Sequence, residues 1–228
     1  MTGSLRVIGH IKTDFPTKFG IPRQSGVVAA TKGTVIFEPE FRSAEALRGL
    51  EDYSHIWLLW EFSEARRDKW SPTVRPPRLG GNKRMGVFAT RSPFRPNPIG
   101  LSSVRLERIY KDKENGLVIE VSGADLLDGT PIYDIKPYIP YTDSHPDASG
   151  GFSDGVYNND LRVEIPESIE KELPVDVLVS LKGILAHAPR PGYQEDESRV
   201  YSFEYACYHI EFSVCGDLLT VKEIKKLK

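Results

Sequence analysis

Apolar and polar positions alternate with a period of two through much of the first 140 residues, in short runs broken by glycine and proline. SLRVIGHI (4–11) alternates and is β-branched. SGVVAATKGTVIFEP (25–39) predicts two short strands, or a strand and a turn, around Lys32–Gly33. IWLLWEF (56–62) is a continuous apolar run, the signature of a fully buried strand. RMGVFATRS (84–92) and GLSSVRLERIYK (100–111) predict strands on either side of a proline-rich loop. GLVIEVSGADLLDGTPIYDIKPYI (116–139) predicts a strand, a turn at Asp128–Gly129 and another strand. Helical spacing recurs in SAEALRGLEDY (43–53), where Ser43 can cap and Ala44, Leu47 and Leu50 share a face. Many short strands with few long helices predict a mainly β unit, a barrel or a sandwich.

The pattern breaks at YTDSHPDASGGFSDGVYNND (141–160), which has no apolar period and predicts a linker or long loop. Beyond it, IPESIEKELPVDVLVSLKGILAH (165–187) predicts one or two helices. Residues 198–228 alternate as a hairpin turning at Gly216–Asp217. The expected organisation is therefore a β domain over residues 1–145 and a small α+β domain over 146–228.

Composition narrows the function classes. The 228 residues are 39% hydrophobic and 27% charged, ordinary values for a soluble globular protein. No run approaches a membrane span and the first residues do not read as a secretory signal, so a cytoplasmic protein is expected. Cys207 and Cys215 do not make a disulfide framework; they are expected as core or half-buried thiols. The five histidines are scattered without partners at ligand spacing, so no metal is expected. The glycine fingerprint of dinucleotide-binding folds, the phosphate-binding loop and the GxSxG elbow are all missing.

Charge changes the picture locally. Net charge is only −2, yet between residues 66 and 95 lie Arg66, Arg67, Lys69, Arg75, Arg78, Lys83, Arg84, Arg91 and Arg95, opposed by Asp68 alone. Such a stripe fits a polyanionic partner, although charge alone also fits a solvated loop. PTVRPPRLGGNKRMGVFATRSPFRPNPIG (72–100) stiffens this stretch with six prolines, each fixing φ and pushing its predecessor out of the helical region. Arginines held at preset places suit bidentate recognition of carboxylates and phosphates, and pre-ordered loops lose little entropy on binding. A second dense stretch, DLLDGTPIYDIKPYIPYTDS (125–144), sets Asp134, Lys136 and Tyr138 on one strand face. There a lysine can orient a carboxylate and a ring can stack on a base, although an ordinary cross-face ion pair has the same pattern. IPRQSG (21–26) and APRPGY (188–193) repeat the arginine–proline theme more weakly.

These stretches, in this order, resemble the TrmO (YaeB, TsaA-like) tRNA methyltransferases, strongly over residues 4–145 and more weakly in the tail. The resemblance implies a single-sheet β-barrel with a small α+β C-terminal domain, assembled as a homodimer and using S-adenosyl-L-methionine. It implies methylation of N6 of threonylcarbamoyladenosine beside the anticodon of threonine-accepting tRNA. Carried over residue by residue, Arg23, Gln24, Arg91, Gly100, Leu101, Ala124, Asp125 and Leu126 would line the cofactor pocket. Ser63 and Glu64 stand where some relatives carry a His-Gln pair, and Glu64 can still accept from ribose hydroxyls.

Chemistry adds roles beside the resemblance. Methyl transfer needs in-line positioning and a base for the weakly nucleophilic target nitrogen. Asp134 is the expected base, with Lys136 orienting it and Tyr138 beside both. Arg75, Arg78, Arg84, Arg95, Asn97, Arg190 and Tyr193 are expected to meet the anticodon loop, Arg95 or Lys136 clamping the threonine carboxylate. Two other readings stand: a barrel of this kind methylating another substrate, and a non-catalytic RNA-binding β module.

Overall fold

A computed structural model of the chain describes residues 4–76, 83–154, 160–187 and 196–227. Six strands close into an antiparallel barrel: β1 (Gly9–Thr13), β2 (Lys32–Phe37), β3 (His55–Glu61), β6 (Ile99–Asp112), β7 (Gly116–Ser122) and β8 (Thr130–Pro137). The order around the barrel is β1-β2-β7-β6-β3-β8, and pairing of Gly9 with Ile132 closes it. Between β3 and β6 a two-stranded ladder joins β4 (Thr73–Val74) to β5 (Met85–Gly86).

The alternation seen in sequence is what fills the barrel. On β3, Ile56, Leu58 and Trp60 point inward, while His55, Trp57 and Leu59 face out. Ile11, Val35, Val104, Ile119, Val121, Ala124, Leu126 and Ile132 complete the interior. The fourteen-residue β6 is long enough to pair with β3 through its first half and β7 through its second.

The tail forms a second layer. Strands β10 (Tyr201–Tyr205), β11 (Tyr208–Cys215) and β12 (Leu218–Lys226) run antiparallel, and β9 (Arg162–Glu164) joins β12 in parallel. Helices α2 (Glu167–Glu170) and α3 (Val175–Ala186) follow β9, with Leu181, Ile184 and Leu185 buried. The core here is not made by the tail alone. Phe15 and Val28, from the loop between β1 and β2, are buried within it, and Phe19, Ile21 and Val27 pack against it. The Phe15 and Tyr205 rings lie 5.1 Å apart.

Several local expectations are corrected. The segment 43–53 gives a single helical turn, α1 (Ala44–Leu47), with no side-chain cap from Ser43; Gly49 in the left-handed region ends it, and a 3-10 turn covers Leu50–Asp52. Lys32–Gly33 opens β2 rather than turning, and residues 25–30 are loop because Val27 and Val28 serve the second core. β5 stops at Gly86 and continues as the 3-10 turn Val87–Ala89. Cys207 and Cys215 are exposed, since each sits at a hairpin end where the strand leaves the core. No described helix is long and apolar enough to cross a membrane.

Candidate functional site

An antiparallel barrel forces alternate loops to one end. Here β1, β3 and β7 end, and β2, β6 and β8 begin, at the same rim. The loops 14–31, 62–98 and 123–129 therefore meet there, and they carry Arg23, Gln24, Ser63, Glu64, Arg91 and Ala124–Leu126 among the residues singled out from sequence. Backbone bonds join two of them, Gly26 N donating to Gly123 O at 2.9 Å and Gly123 N to Thr31 O at 2.8 Å, and Phe62 N donating to Pro98 O at 2.8 Å closes the third at its base. Gly123 has φ of 76° with the Gly26 backbone against it, a place where no side chain fits.

The centre of the cluster is Asp125. Its Oδ1 accepts from Ser102 Oγ at 2.6 Å, and Ser102 Oγ accepts from Trp60 Nε1 at 2.9 Å. A buried indole N–H needs a partner, so this relay ties the inner walls of β3 and β6 to the 123–129 loop. Burial pushes the Asp125 carboxyl up to about 6; the bond from Ser102, the Asp125 and Ser25 amides and the charge of Arg91 pull the other way. Arg91 donates to Gln24 Oε1, and Gln24 Nε2 donates to Arg23 O. Gln24, Arg91, Asp125 and the Ser25 amide thus sit together, with Ala124 and Leu126 buried beneath. Gly100 packs so closely on the Trp60 indole that an added Cβ would fall inside the ring system.

Ser63 and Glu64 lie in the 3-10 turn that follows β3, and Glu64 pairs with Lys18 at 2.8 Å, bridging loops 62–98 and 14–31. Leu101 takes the outer face of β6, with its cross-strand partner Leu59 opposite Asp134. Asp134 and Lys136 form their expected ion pair, 3.0 Å apart, on this outer wall of β8. Asp134 Oδ1 also accepts from Ile135 N. The Tyr138 ring lies 5.6 Å from Trp57. Of the residues expected to line a cofactor pocket, Arg23, Gln24, Arg91, Ala124, Asp125 and Leu126 gather at the rim, whereas Leu101 faces out beside the Asp134–Lys136–Tyr138 row on the outside wall.

The cationic stretch borders the rim. Arg75 is exposed, and Arg84 Nη1 donates to Thr73 Oγ1 at 2.9 Å, bracing the β4–β5 ladder. Arg67 lies over the Phe94 ring, 3.6 Å from its centroid. Arg95 turns back on its own loop, Nη1 donating to Thr90 O at 2.8 Å and to Ser92 O at 3.4 Å. The Asn97 carbonyl accepts from Ile99 N and closes the entry to β6. Arg78, Arg190 and Tyr193 lie outside the described residues.

Sequence reasoning missed Ser102, Ser25 and a second cluster. Glu61 is only 5% exposed, although alternation along β3 places it outward. Arg66 Nε and the Tyr133 hydroxyl both donate to it, and a β-bulge at Leu59/Trp60 turns Tyr133 toward it. The bond from Arg66 holds the Glu61 carboxyl below its ordinary value. Among the described residues no group of three His, Cys, Asp or Glu is arranged to hold a metal ion.

Comparison with known proteins agrees with this fold. A profile of the tRNA-methyltransferase O N-terminal domain matches residues 10–144. The chain is 40% identical over 213 residues to the tRNA (adenine(37)-N6)-methyltransferase of Escherichia coli K12, covering 91% of this chain and 89% of that one. It is 45% identical to a Pseudomonas aeruginosa protein named as a putative S-adenosylmethionine-dependent methyltransferase, RcsF, covering 86% of each. A crystal structure of TrmO from P. aeruginosa superposes with a TM-score of 0.79 at 37% identity, over 99% of this chain and 98% of that one. With its profile, its relatives and its barrel all in accord, the chain belongs to the tRNA-methyltransferase O family.

Proposed function

We propose that this protein is an S-adenosyl-L-methionine-dependent methyltransferase acting on N6 of adenosine 37 of tRNA, and that its target is the threonylcarbamoyl form of that base in threonine-accepting tRNA. The observation that carries the reading is the convergence of Gln24, Arg91, Asp125 and the Ser25 amide at one barrel rim, bordered by the cationic stretch. The family resemblance and the names of the relatives support it.

The donor set fits the cofactor. S-adenosyl-L-methionine supplies a methyl group on a positively charged sulfur, beside an ammonium, a carboxylate and ribose hydroxyls. A desolvated carboxylate suits the positive groups, and Arg91 with Gln24 suits the carboxylate. The backbone of Ala124, Asp125 and Leu126 offers fixed amides and carbonyls, and Glu64 an acceptor for hydroxyls. Because loops 14–31 and 123–129 are joined through their backbones and side chains of Gln24 and Lys18 tie 62–98 to them, little ordering remains to be done on binding.

The target nitrogen is flanked by a purine and a carbamoyl group. Its lone pair is delocalised and its proton correspondingly acidic, so a nearby base assists. Asp134 takes that proton, and Lys136 at 3.0 Å holds it in place. Arg95, whose Nη1 bonds its own loop, or Lys136, paired with Asp134, is the cation for the threonine carboxylate. The test is mass spectrometry of nucleosides after incubating the purified protein, S-adenosyl-L-methionine and threonylcarbamoylated tRNA. The reading expects the N6-methylated product, a loss of at least tenfold in turnover for Asp134→Asn, and no product from tRNA lacking the threonylcarbamoyl group. Equal methylation of unmodified adenosine would refute the finer assignment; absence of any tRNA methylation would refute the whole.

A further inference from the structure

Within the cationic stretch, two neighbouring aromatic rings are left largely exposed by the fold. Trp70 is 52% exposed and Phe88 73% exposed. Exposed aromatics of this size forgo the burial that normally holds such residues inside. Their position is set by the fold. Thr73 pairs with Gly86 and Val74 with Met85, and Val87 N donates to Pro72 O at 2.9 Å, so the ladder brings Trp70 and Phe88 side by side at its open end. The rings lie 6.1 Å apart at 32°. Pro72 stiffens one side, and the turn Val87–Ala89 with buried Val87 anchors the other.

The neighbouring Phe94 shows what an exposed ring does here when the chain provides a cover: Arg67 lies over it at 3.6 Å. Trp70 and Phe88 lie beside each other, and among the described residues no guanidinium sits over either ring. Arg66, Arg67 and Lys69 precede Trp70, and Lys83 and Arg84 precede β5, against the single carboxylate of Asp68 in this stretch. Rings set among cations of one sign match a chain that alternates π-faces with phosphates. Phosphates answer the charges, and unpaired bases stack on rings whatever their identity.

We infer that Trp70 and Phe88 form a stacking platform for unpaired nucleobases of the RNA substrate, beside and distinct from the methyl-transfer pocket. The inference rests on the tRNA reading above, and adds to it where the loop bases lie. An anticodon loop provides such splayed bases, whereas a double helix hides them.

The experiment uses the full chain and an anticodon stem-loop RNA carrying 2-aminopurine in the loop. Binding is followed by anisotropy across a salt series, and stacking by quenching of 2-aminopurine emission. Trp70→Ala and Phe88→Ala are each expected to weaken binding by about 5- to 100-fold. Neither should change the salt slope nor the affinity for S-adenosyl-L-methionine measured by calorimetry. Trp70→Phe keeps a ring and should restore most of the affinity and the quenching. Arg84→Ala should instead lower the salt slope by about one, because it removes a phosphate contact. Wild-type affinity and quenching in both alanine variants would overturn the platform while leaving the methyltransferase reading intact. Loss of polyglutamate binding in place of RNA binding would overturn it in favour of an acidic protein partner. A wild-type protein that binds no RNA would remove both readings together.

Discussion

Replacing Asp125 by asparagine tests the centre of the site. The substitution keeps shape and preserves an acceptor for Ser102, but removes the charge. Burial lifts the Asp125 carboxyl from 3.8 to about 6. A shift of roughly two units corresponds to about 3 kcal/mol between protonation states. The folded value is raised, so this contribution to stability is fully present below the unfolded value and is lost as pH rises through about 6. About 1.4 kcal/mol of the change falls between about pH 5 and about pH 7.5, where the rest of the protein is not near acid unfolding. Urea titrations of both proteins at these two pH values isolate it, because loss of a hydrogen bond in the variant is common to both and cancels. The asparagine protein should gain about 1.4 kcal/mol on the wild type from the lower pH to the higher. In the presence of cofactor the sign inverts: a cationic ligand favours the ionised carboxylate, so affinity for S-adenosyl-L-methionine should rise roughly tenfold over the same interval in the wild type and stay flat in the variant. An asparagine protein with unchanged affinity, the same pH profile and no differential stability would show that Asp125 is neither desolvated nor facing the ligand.

Three other substitutions probe the surrounding frame. Gly100→Ala would push a methyl into the Trp60 indole; calorimetry should show loss of S-adenosyl-L-methionine binding with the barrel still folded by circular dichroism. Glu61→Gln, which weakens the bonds from Arg66 and Tyr133, should cost about 1–3 kcal/mol in urea at neutral pH. Because the Glu61 carboxyl is held low, its contribution is present above its ordinary value and lost as pH falls, so the difference between the two proteins should shrink on acidification. Gly20→Ala combines a φ of 95° with a collision against the Phe203 ring; a thermal melt should register a loss of about 2 kcal/mol or more, together with weaker cofactor binding.

What was legible in the sequence follows from how locally each feature is determined. Proline and arginine act within a few residues, so the stiff cationic stretch from 72 to 100 reads directly, and the alternation around Ile56, Leu58 and Trp60 reads as wall and core. Closure is different. Nothing local in Asp125 says that its neighbours are Ser102 and Ser25; that depends on β6 running beyond the end of β7, which leaves room for the 123–129 loop. Glu61 misleads for the same reason, since its burial comes from a bulge on β8 and from Arg66 five residues on. The apolar residues of 43–53 keep helical spacing, but Gly49 at φ of 80° interrupts the backbone that spacing assumes. Val27 and Val28 read as strand because they are β-branched, whereas their partners are in a different layer.

That last misreading bears on how the site is held. The loop from 14 to 31 carries Arg23 and Gln24 at the barrel rim, yet the apolar residues on either side of them are committed to the second core. Ala206 N donates to Asp14 O at 2.7 Å, Ser180 Oγ to Ala30 O at 3.0 Å, and Lys32 pairs with Asp176. The tail therefore grips both ends of the loop, while Gly26, Thr31 and Gln24 bind it to the barrel. A loop of this length fixed at one side alone would hold its polar groups at the rim only at a large ordering cost. Fixed from both sides, it presents them already placed. Perturbations in the tail core, far from any reacting atom, should thus be read first as changes in how well Gln24 and Arg91 are positioned, and only then as changes in chemistry.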